Sequence, residues 1–360
     1  MSKSEFTIER HDLSLDKSLR AWSAADEYLL KAYQEQEGKT VKLGLYNDRF
    51  GFLSAHLHSD SPLAIISNKS QEKAIKLNCE FNKVQEPTFA DPLSDSDEKF
   101  DLVLLKIPKS LDLFMLYLEH IVANSNDEVK VICAFMTRNF SPKLIQIAEE
   151  YFDIVEQGLA LKKARLLTLT KKKIAKKKEL ISSLSFKDHD YKQYLGVFSA
   201  DHIDYATQFF LNHVEVKPTD CRILDLASGN GVIANEIFKQ NPESEFHLMD
   251  DSYLAVASAK MNISGEKIFH HFNNDLILFE DEYFDVIVTN PPFHFEYEIN
   301  IQIPLALFKD CHRCLKIGGS LQIVSNKHLN YKTHLLSVFK VVEVVAEDKK
   351  FVVYKCVKYD

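Results

Sequence analysis

The sequence predicts an α/β protein built from two tandem, doubly wound domains. Three observations carry this. The chain has 360 residues, enough for two domains of ordinary size. Short apolar runs rich in Val, Ile and Leu alternate with helix-length segments, the pattern of parallel strands covered by helices on both faces. The order of those runs occurs twice, offset by about 180 residues.

The elements pair as follows. Val41-Lys-Leu-Gly-Leu-Tyr-Asn-Asp-Arg-Phe-Gly51 is a strand and turn entering a helix, as is Cys221-Arg-Ile-Leu-Asp-Leu-Ala-Ser-Gly-Asn-Gly231. Pro62-Leu-Ala-Ile-Ile-Ser-Asn68 leads to a helix ending at Asn78; Phe246-His-Leu-Met-Asp-Asp251 leads to one ending at Asn262. Phe100-Asp-Leu-Val-Leu-Leu-Lys106 matches Phe284-Asp-Val-Ile-Val-Thr-Asn290, and Val129–Phe135 matches Ser320–Asn326. Each copy closes on a basic strand, Arg165–Thr170 and Phe351–Cys356. The expected division is 1–185 and 186–360.

Composition narrows the function classes. Hydrophobic residues make up 46% and charged residues 27%, which excludes a disordered or fibrous chain. The N-terminus has no apolar signal core, and no run of about 18 apolar residues exists, so a cytoplasmic protein without membrane contact is expected. Six Cys fit reduced thiols; only Cys311-His-Arg-Cys314 has ligand-like spacing, and it lacks a second pair, so no metal is expected. The net charge is −8, so nucleic acid would need a local patch. One candidate exists. From Gln157 to Lys178 there are nine positive charges and no acid, which leaves −17 for the rest of the chain. Lys171, Lys172, Lys173, Lys176 and Lys177 form its densest part: either a solvated junction or a phosphate-contacting strip.

In an open α/β sheet, ligands sit at the carboxyl ends of the strands. There the second copy has Ala227-Ser-Gly-Asn-Gly231, where Gly229 and Gly231 allow a tight turn and close approach to a ligand. Asp250 follows 19 residues after Gly231, the spacing of a carboxylate that holds ribose hydroxyls. The loop also fits the loose dinucleotide fingerprint, so a dehydrogenase stays open on this motif alone.

The strand Phe284–Thr289 ends in Asn290-Pro291-Pro292-Phe293. The Asn290 side-chain oxygen and the Pro291 carbonyl are two acceptors that can grip both protons of a planar amine. That grip turns the nitrogen lone pair out of conjugation, ready to attack a carbon held in line. Phe293 offers a stacking face. The electrophile implied is the methyl sulfonium of S-adenosylmethionine.

With these residues stand Leu195-Gly-Val-Phe-Ser199, Asp250–Ser258, Arg313-Cys-Leu-Lys316 and Val324-Ser-Asn-Lys-His-Leu329. Together they resemble the bacterial ribosomal RNA guanine-N2 methyltransferases, over nearly the full chain. Tyr46–Ser54 is most similar to the large-subunit (23S) branch. The resemblance implies two tandem Rossmann-like domains of class I methyltransferase type: a degenerate first one for RNA recognition or scaffolding, and a catalytic second one. It implies S-adenosylmethionine as cofactor, 23S ribosomal RNA as substrate and a monomer. Asp225, Ala227, Gly229 and Gly231 would frame the methionine end of the cofactor, and Asp250 the ribose. Asn274 would lie near the adenine, with Asp275 as rival. Phe198 and Ser199 would close over the cofactor; Asn290, Pro291, Pro292 and Phe293 would position the amine; Lys327 and His328 would face RNA.

The family usually has glycine at Ala227, so a methyl group there would crowd the cofactor if the position needs positive φ. The first copy replaces the glycine loop with Tyr46–Gly51 and the catalytic loop with Lys106-Ile-Pro-Lys109. Small-subunit RNA, another amine acceptor (adenine N6, cytosine N4 or protein glutamine), and a non-catalytic RNA-binding assembly factor remain alternatives.

Overall fold

The computed structural model describes residues 6–11, 19–36, 41–95, 99–173, 178–199, 201–291 and 302–360. Pro292, Phe293, Lys176 and Lys177 lie outside them. The chain divides into two compact units, Met1–Leu180 and Ile181–Asp360.

The first unit contains β1 (Leu43–Tyr46), β2 (Leu63–Ile65), β3 (Thr88–Ala90), β4 (Phe100–Lys106), β5 (Ser125–Met136), β6 (Phe152–Gln157) and β7 (Ala164–Lys172) in the order β3-β2-β1-β4-β5-β7-β6. The second opens with a hairpin, β8 (Ile181–Phe186) and β9 (His189–Tyr194). Its main sheet holds β10 (Arg222–Leu226), β11 (Glu245–Asp250), β12 (Ile268–Phe272), β13 (Phe284–Thr289), β14 (Leu315–Asn326), β15 (Val341–Glu347) and β16 (Phe351–Val357), in the order β12-β11-β10-β13-β14-β16-β15.

The two sheets match strand for strand and nearly residue for residue. Gly44 pairs with Leu63 and Val103, and Leu224 pairs with His247 and Ile287. Even the irregularity between Phe100 and Leu102 recurs between Phe284 and Val286. The buried strands alternate between two cores: Ile223, Val286 and Val288 pack on one face, Leu224, Leu226 and Ile287 on the other. Asp225 occupies the first face and has no exposed surface.

Each sheet is mixed: its first five strands are parallel, and β7 and β16 run antiparallel to both their neighbours. The reason is chain length. Only residues 158–163 join β6 to β7, and 348–350 join β15 to β16, which is too short for a crossover. The edge strands β6 and β15 escape an apolar-run reading because they are half exposed and carry Asp153, Glu156, Glu343 and Glu347. The hairpin escapes it too. Its turn is Lys187-Asp188, with Lys187 at φ 52° and no glycine signal.

Candidate active site

The loop after β10 is built by backbone conformations that most residues avoid. Ala227, Gly229 and Gly231 have φ of 59°, 55° and 80°. A Cβ on Gly231 would sit 3.2 Å from Ala259 Cβ and Leu248 Cδ2, so both conformation and packing require glycine. A Cβ on Gly229 would meet nothing within 4 Å; the loop opens there onto free space. Ala227 does adopt the positive φ that makes a Cβ unfavourable, a strain of about 1 kcal/mol.

Two carboxylates frame this loop. Asp225 Oδ2 accepts the Ala234 amide at 3.0 Å, while Oδ1 is buried with no partner. Burial, together with the neighbouring Asp250 charge, pushes the Asp225 carboxyl up to about 8. Asp250 Oδ2 accepts the Gly229 amide at 2.9 Å and Oδ1 accepts Ser252 N at 2.8 Å. Burial lifts its carboxyl to about 6, despite those two amides. Each Asp250 oxygen keeps a second lone pair for a hydroxyl.

Two further buried acceptors stand open: Ser228 Oγ and Asn274 Oδ1. The rival Asp275 is engaged in its own turn, accepting from Asn273 Nδ2 and Ile277 N at 3.3 Å each. Three unpartnered buried polar atoms and an open glycine edge on one sheet end fit a polar, cation-bearing ligand, and S-adenosylmethionine has that character.

Asn290 is next to this loop by construction. Thr289 pairs with Leu226, and Thr289 Oγ1 donates to the Leu226 carbonyl at 2.7 Å. The Asn290 Nδ2 donates to Asp204 Oδ2 at 3.1 Å and to Thr207 Oγ1 at 2.9 Å. Both amide protons are therefore used, which orients the side chain and leaves Oδ1 as an acceptor with no partner among the described residues. Pro291 follows, buried.

Asp204 and Thr207 were missed by the sequence reading. Asp204 caps the helix Tyr205–Leu211, accepting Ala206 N and Thr207 N. An Asp before a helix is a visible cap signal, but its contact 86 residues away is not. Gln193 was also missed. It is buried, and it joins the Asn230 side chain to the Ser199 carbonyl, at 2.9 and 3.1 Å. Phe198 stands 76% exposed, and Ser199 has φ 62°.

Residues 1–173 match the family model described as the RLMG N-terminal domain, and 189–355 match the methyltransferase small domain. The large subunit ribosomal RNA methyltransferase G of Psychromonas ingrahamii is 31% identical over 98% of this chain and 97% of its own length. That of Klebsiella pneumoniae strain 342 is 33% identical over 98% and 96%. The chain belongs to the ribosomal RNA large subunit methyltransferase G family. Its fold is that of a solved T. thermophilus 16S rRNA N2 methyltransferase in complex with AdoMet and guanosine. The two share a TM-score of 0.77 and 19% identity, over 93% of this chain and 92% of that one.

The first unit carries other side chains at three of the matching positions. Register places Leu45 where Asp225 stands, Ile66 where Asp250 stands and Lys106 where Asn290 stands. Asn47 has the φ of Ala227, 59°, and Gly51 that of Gly231, 81°. The carboxylate that caps the following helix has moved into the loop: Asp48 accepts from Ser54 N and Oγ at 2.7 Å each. Bulky polar groups fill the strand end, with Tyr46 bonded to His120 and Ser67 to Tyr117, all buried.

The basic residues are largely partnered within their own units. Lys172 Nζ donates to the Ser125 carbonyl and lies 3.3 Å from Asp127; Lys173 Nζ lies 3.7 Å from Asp153. Lys162 and Lys178 pair with Glu27 and Glu150. Lys171 is exposed, at φ 56°. Lys327 Nζ is 3.1 Å from Glu347, while His328 beside it is exposed. Cys311 and Cys314 are buried, and no group of three potential metal ligands occurs among the described residues. Nor is any described helix long and apolar enough to cross a membrane.

Proposed function

We propose that the second unit transfers a methyl group from S-adenosylmethionine to the exocyclic N2 amine of a guanine in 23S ribosomal RNA. One observation carries the proposal: the Asn290 amide protons are both spent on Asp204 and Thr207, so what its side chain has left to offer, at the sheet end that holds the glycine loop, is an acceptor oxygen. An enzyme that must grip an –NH2 needs acceptors, and Asn290 Oδ1 with the Pro291 carbonyl supplies two.

Asp225, Ser228, Gly229 and Gly231 would hold the methionine end of the cofactor, Asp250 its ribose and Asn274 its adenine, with Phe198 and Ser199 closing over it. The cofactor, when bound, supplies an electrophilic methyl on a cationic sulfur. The protein's part is to orient. The two acceptors fix the amine plane, draw its lone pair out of conjugation and hold the nitrogen in line. Pro291 and Pro292 would stiffen the loop, and Phe293 would give the purine a stacking face. The methylated nitrogen then gives up one proton to solvent. A guanine inside a helix must first leave its stack.

Residues 1–185 would recognise or scaffold the RNA and 186–360 would catalyse. Exposed Lys171 and His328, with Lys176 and Lys177, are the phosphate contacts left once the internally paired lysines 172, 173 and 327 are discounted. The enzyme would act as a monomer in the cytoplasm, where unmodified ribosomal RNA is found. Methyl-labelled S-adenosylmethionine is offered with unmodified large- and small-subunit RNA separately, and the digested nucleosides are identified. Label in N2-methylguanosine from 23S RNA alone is expected. The same nucleoside from 16S RNA alone would move the target, and no label in either would overturn the proposal.

A further inference from the structure

Asn290 has no intrinsic preference between presenting an oxygen or an NH2 to solvent; its two faces differ only by a half turn about the last side-chain bond. Something must set that choice if the residue is to grip an amine. In this chain it is set by the first turn of the helix Tyr205–Leu211. Asp204 Oδ2 accepts from Ala206 N at 3.0 Å, Thr207 N at 3.3 Å and Asn290 Nδ2 at 3.1 Å. Thr207 Oγ1 accepts the second Asn290 proton at 2.9 Å, and Thr207 is buried. The flipped amide would place its oxygen against a carboxylate, repelled rather than bonded.

A contact of the same polarity recurs in the first unit with a charged donor. There Lys106 stands at the Asn290 register, and its ammonium lies 2.8 Å from Asp26 Oδ2, at the third position of the helix Ala24–Gln34. Thr207 is also the third residue of its helix. The fold thus brings the start of this helix to the end of the fourth strand in both units. In the second unit alone, the strand-end side chain also carries an acceptor oxygen, which lysine lacks. A hydrogen bond to a carboxylate also polarises the amide and strengthens its oxygen as an acceptor.

From this we infer that Asp204 and Thr207 are positioning residues for methyl transfer: they lock the Asn290 amide with Oδ1 left as the acceptor and tune it for the substrate amine. The inference rests on Asn290 being the amine acceptor proposed above.

Thr207→Val keeps shape and removes one acceptor, without touching the helix cap that an Asp204 variant would disturb. It is expected to lower the single-turnover methylation rate about tenfold, one hydrogen bond's worth. S-adenosylmethionine affinity should stay within about twofold, and Thr207→Ser should recover most of the rate. In an Asn290→Ala background Thr207→Val should have no further effect. A readout independent of RNA accompanies these: the Asn290 side-chain amide protons, assigned by ¹⁵N NMR through their loss in Asn290→Ala. They should exchange slowly in the parent and fast in Thr207→Val. Rapid exchange in the parent, an unchanged Thr207→Val rate, or an equal Thr207→Val loss with and without Asn290 would each overturn the inference. A parent with slow amide exchange and no activity on ribosomal RNA would instead contradict the proposed substrate and leave the positioning intact.

Discussion

Asp225→Asn removes a buried ionisable group whose energetics can be worked out in both the free and the bound protein. In the free fold one carboxyl oxygen has no partner, and burial holds the group at about 8 against an ordinary value of 3.8. At pH 6 roughly 1% of the molecules carry the anion, since each unit is worth about 1.36 kcal/mol. If binding the cationic cofactor needs that anion, affinity should rise about tenfold per pH unit below 8 and level off above it. Between pH 6 and 8, where the ionised fraction climbs from about 1% to one half, this amounts to about 50-fold, or about 2.3 kcal/mol. Calorimetry of S-adenosylmethionine binding, at pH 6, 7 and 8, on the parent and on Asp225→Asn tests this. The ligand's own titration is common to both proteins, so the ratio of affinities isolates Asp225. The variant should bind weakly, with the residue's part of the pH dependence gone. The unliganded protein supplies a second sign. Its folded state holds more protons than the unfolded one between roughly pH 4 and 8, so stability falls as pH rises through that window, and Asp225→Asn flattens the fall. Parallel pH profiles for the two proteins, in binding and in denaturation, would show that Asp225 does not titrate in this range or does not meet the cofactor.

Three further outcomes follow from the loop and the surface. Gly231→Ala should cost about 2–3 kcal/mol of stability, seen as a lower Tm, because it adds left-handed strain to a 3.2 Å contact. Gly229→Ala meets no protein atom, so its strain of about 1 kcal/mol should appear with a much larger loss of cofactor affinity; an affinity loss no larger than the stability loss would remove Gly229 from the binding edge. Lys171→Ala should weaken RNA binding and reduce the salt slope by about one, whereas Lys172→Ala, whose ammonium is bonded to Ser125 and Asp127, should leave the slope unchanged; titration of 23S RNA fragments across salt concentrations reads both.

Much of the architecture lies on the surface of the sequence. The duplicated order of apolar runs marks four of the five parallel strands of each sheet, together with the antiparallel β7 and β16, because strands buried on both faces must be apolar throughout. The half-exposed edge strands Phe152–Gln157 and Val341–Glu347 have no such constraint, and the hairpin turn at Lys187-Asp188 uses a strained lysine where glycine would have announced it. At the candidate site, residues tied to backbone geometry are readable from spacing: Gly229, Gly231, Asp250 and the Asn290-Pro loop all sit at strand ends. The departure at Ala227 is also readable, and the backbone there does take positive φ. Partners distant in the chain are not readable. Nothing in Asp204 or Thr207 announces Asn290, and a run of lysines shows its charge without showing Asp127, Asp153 or Glu150, which neutralise part of it.

The central claim is that Asn290 grips the substrate amine while the glycine loop holds the cofactor. Single-turnover formation of N2-methylguanosine by Asn290→Ala, measured beside its S-adenosylmethionine affinity, tests it most directly. The variant's rate should be at least a hundredfold lower, in line with loss of a preorganised hydrogen bond that matters most as the reaction proceeds, with cofactor affinity unchanged within about twofold. Equal rates for variant and parent, or a loss confined to cofactor binding, would contradict it.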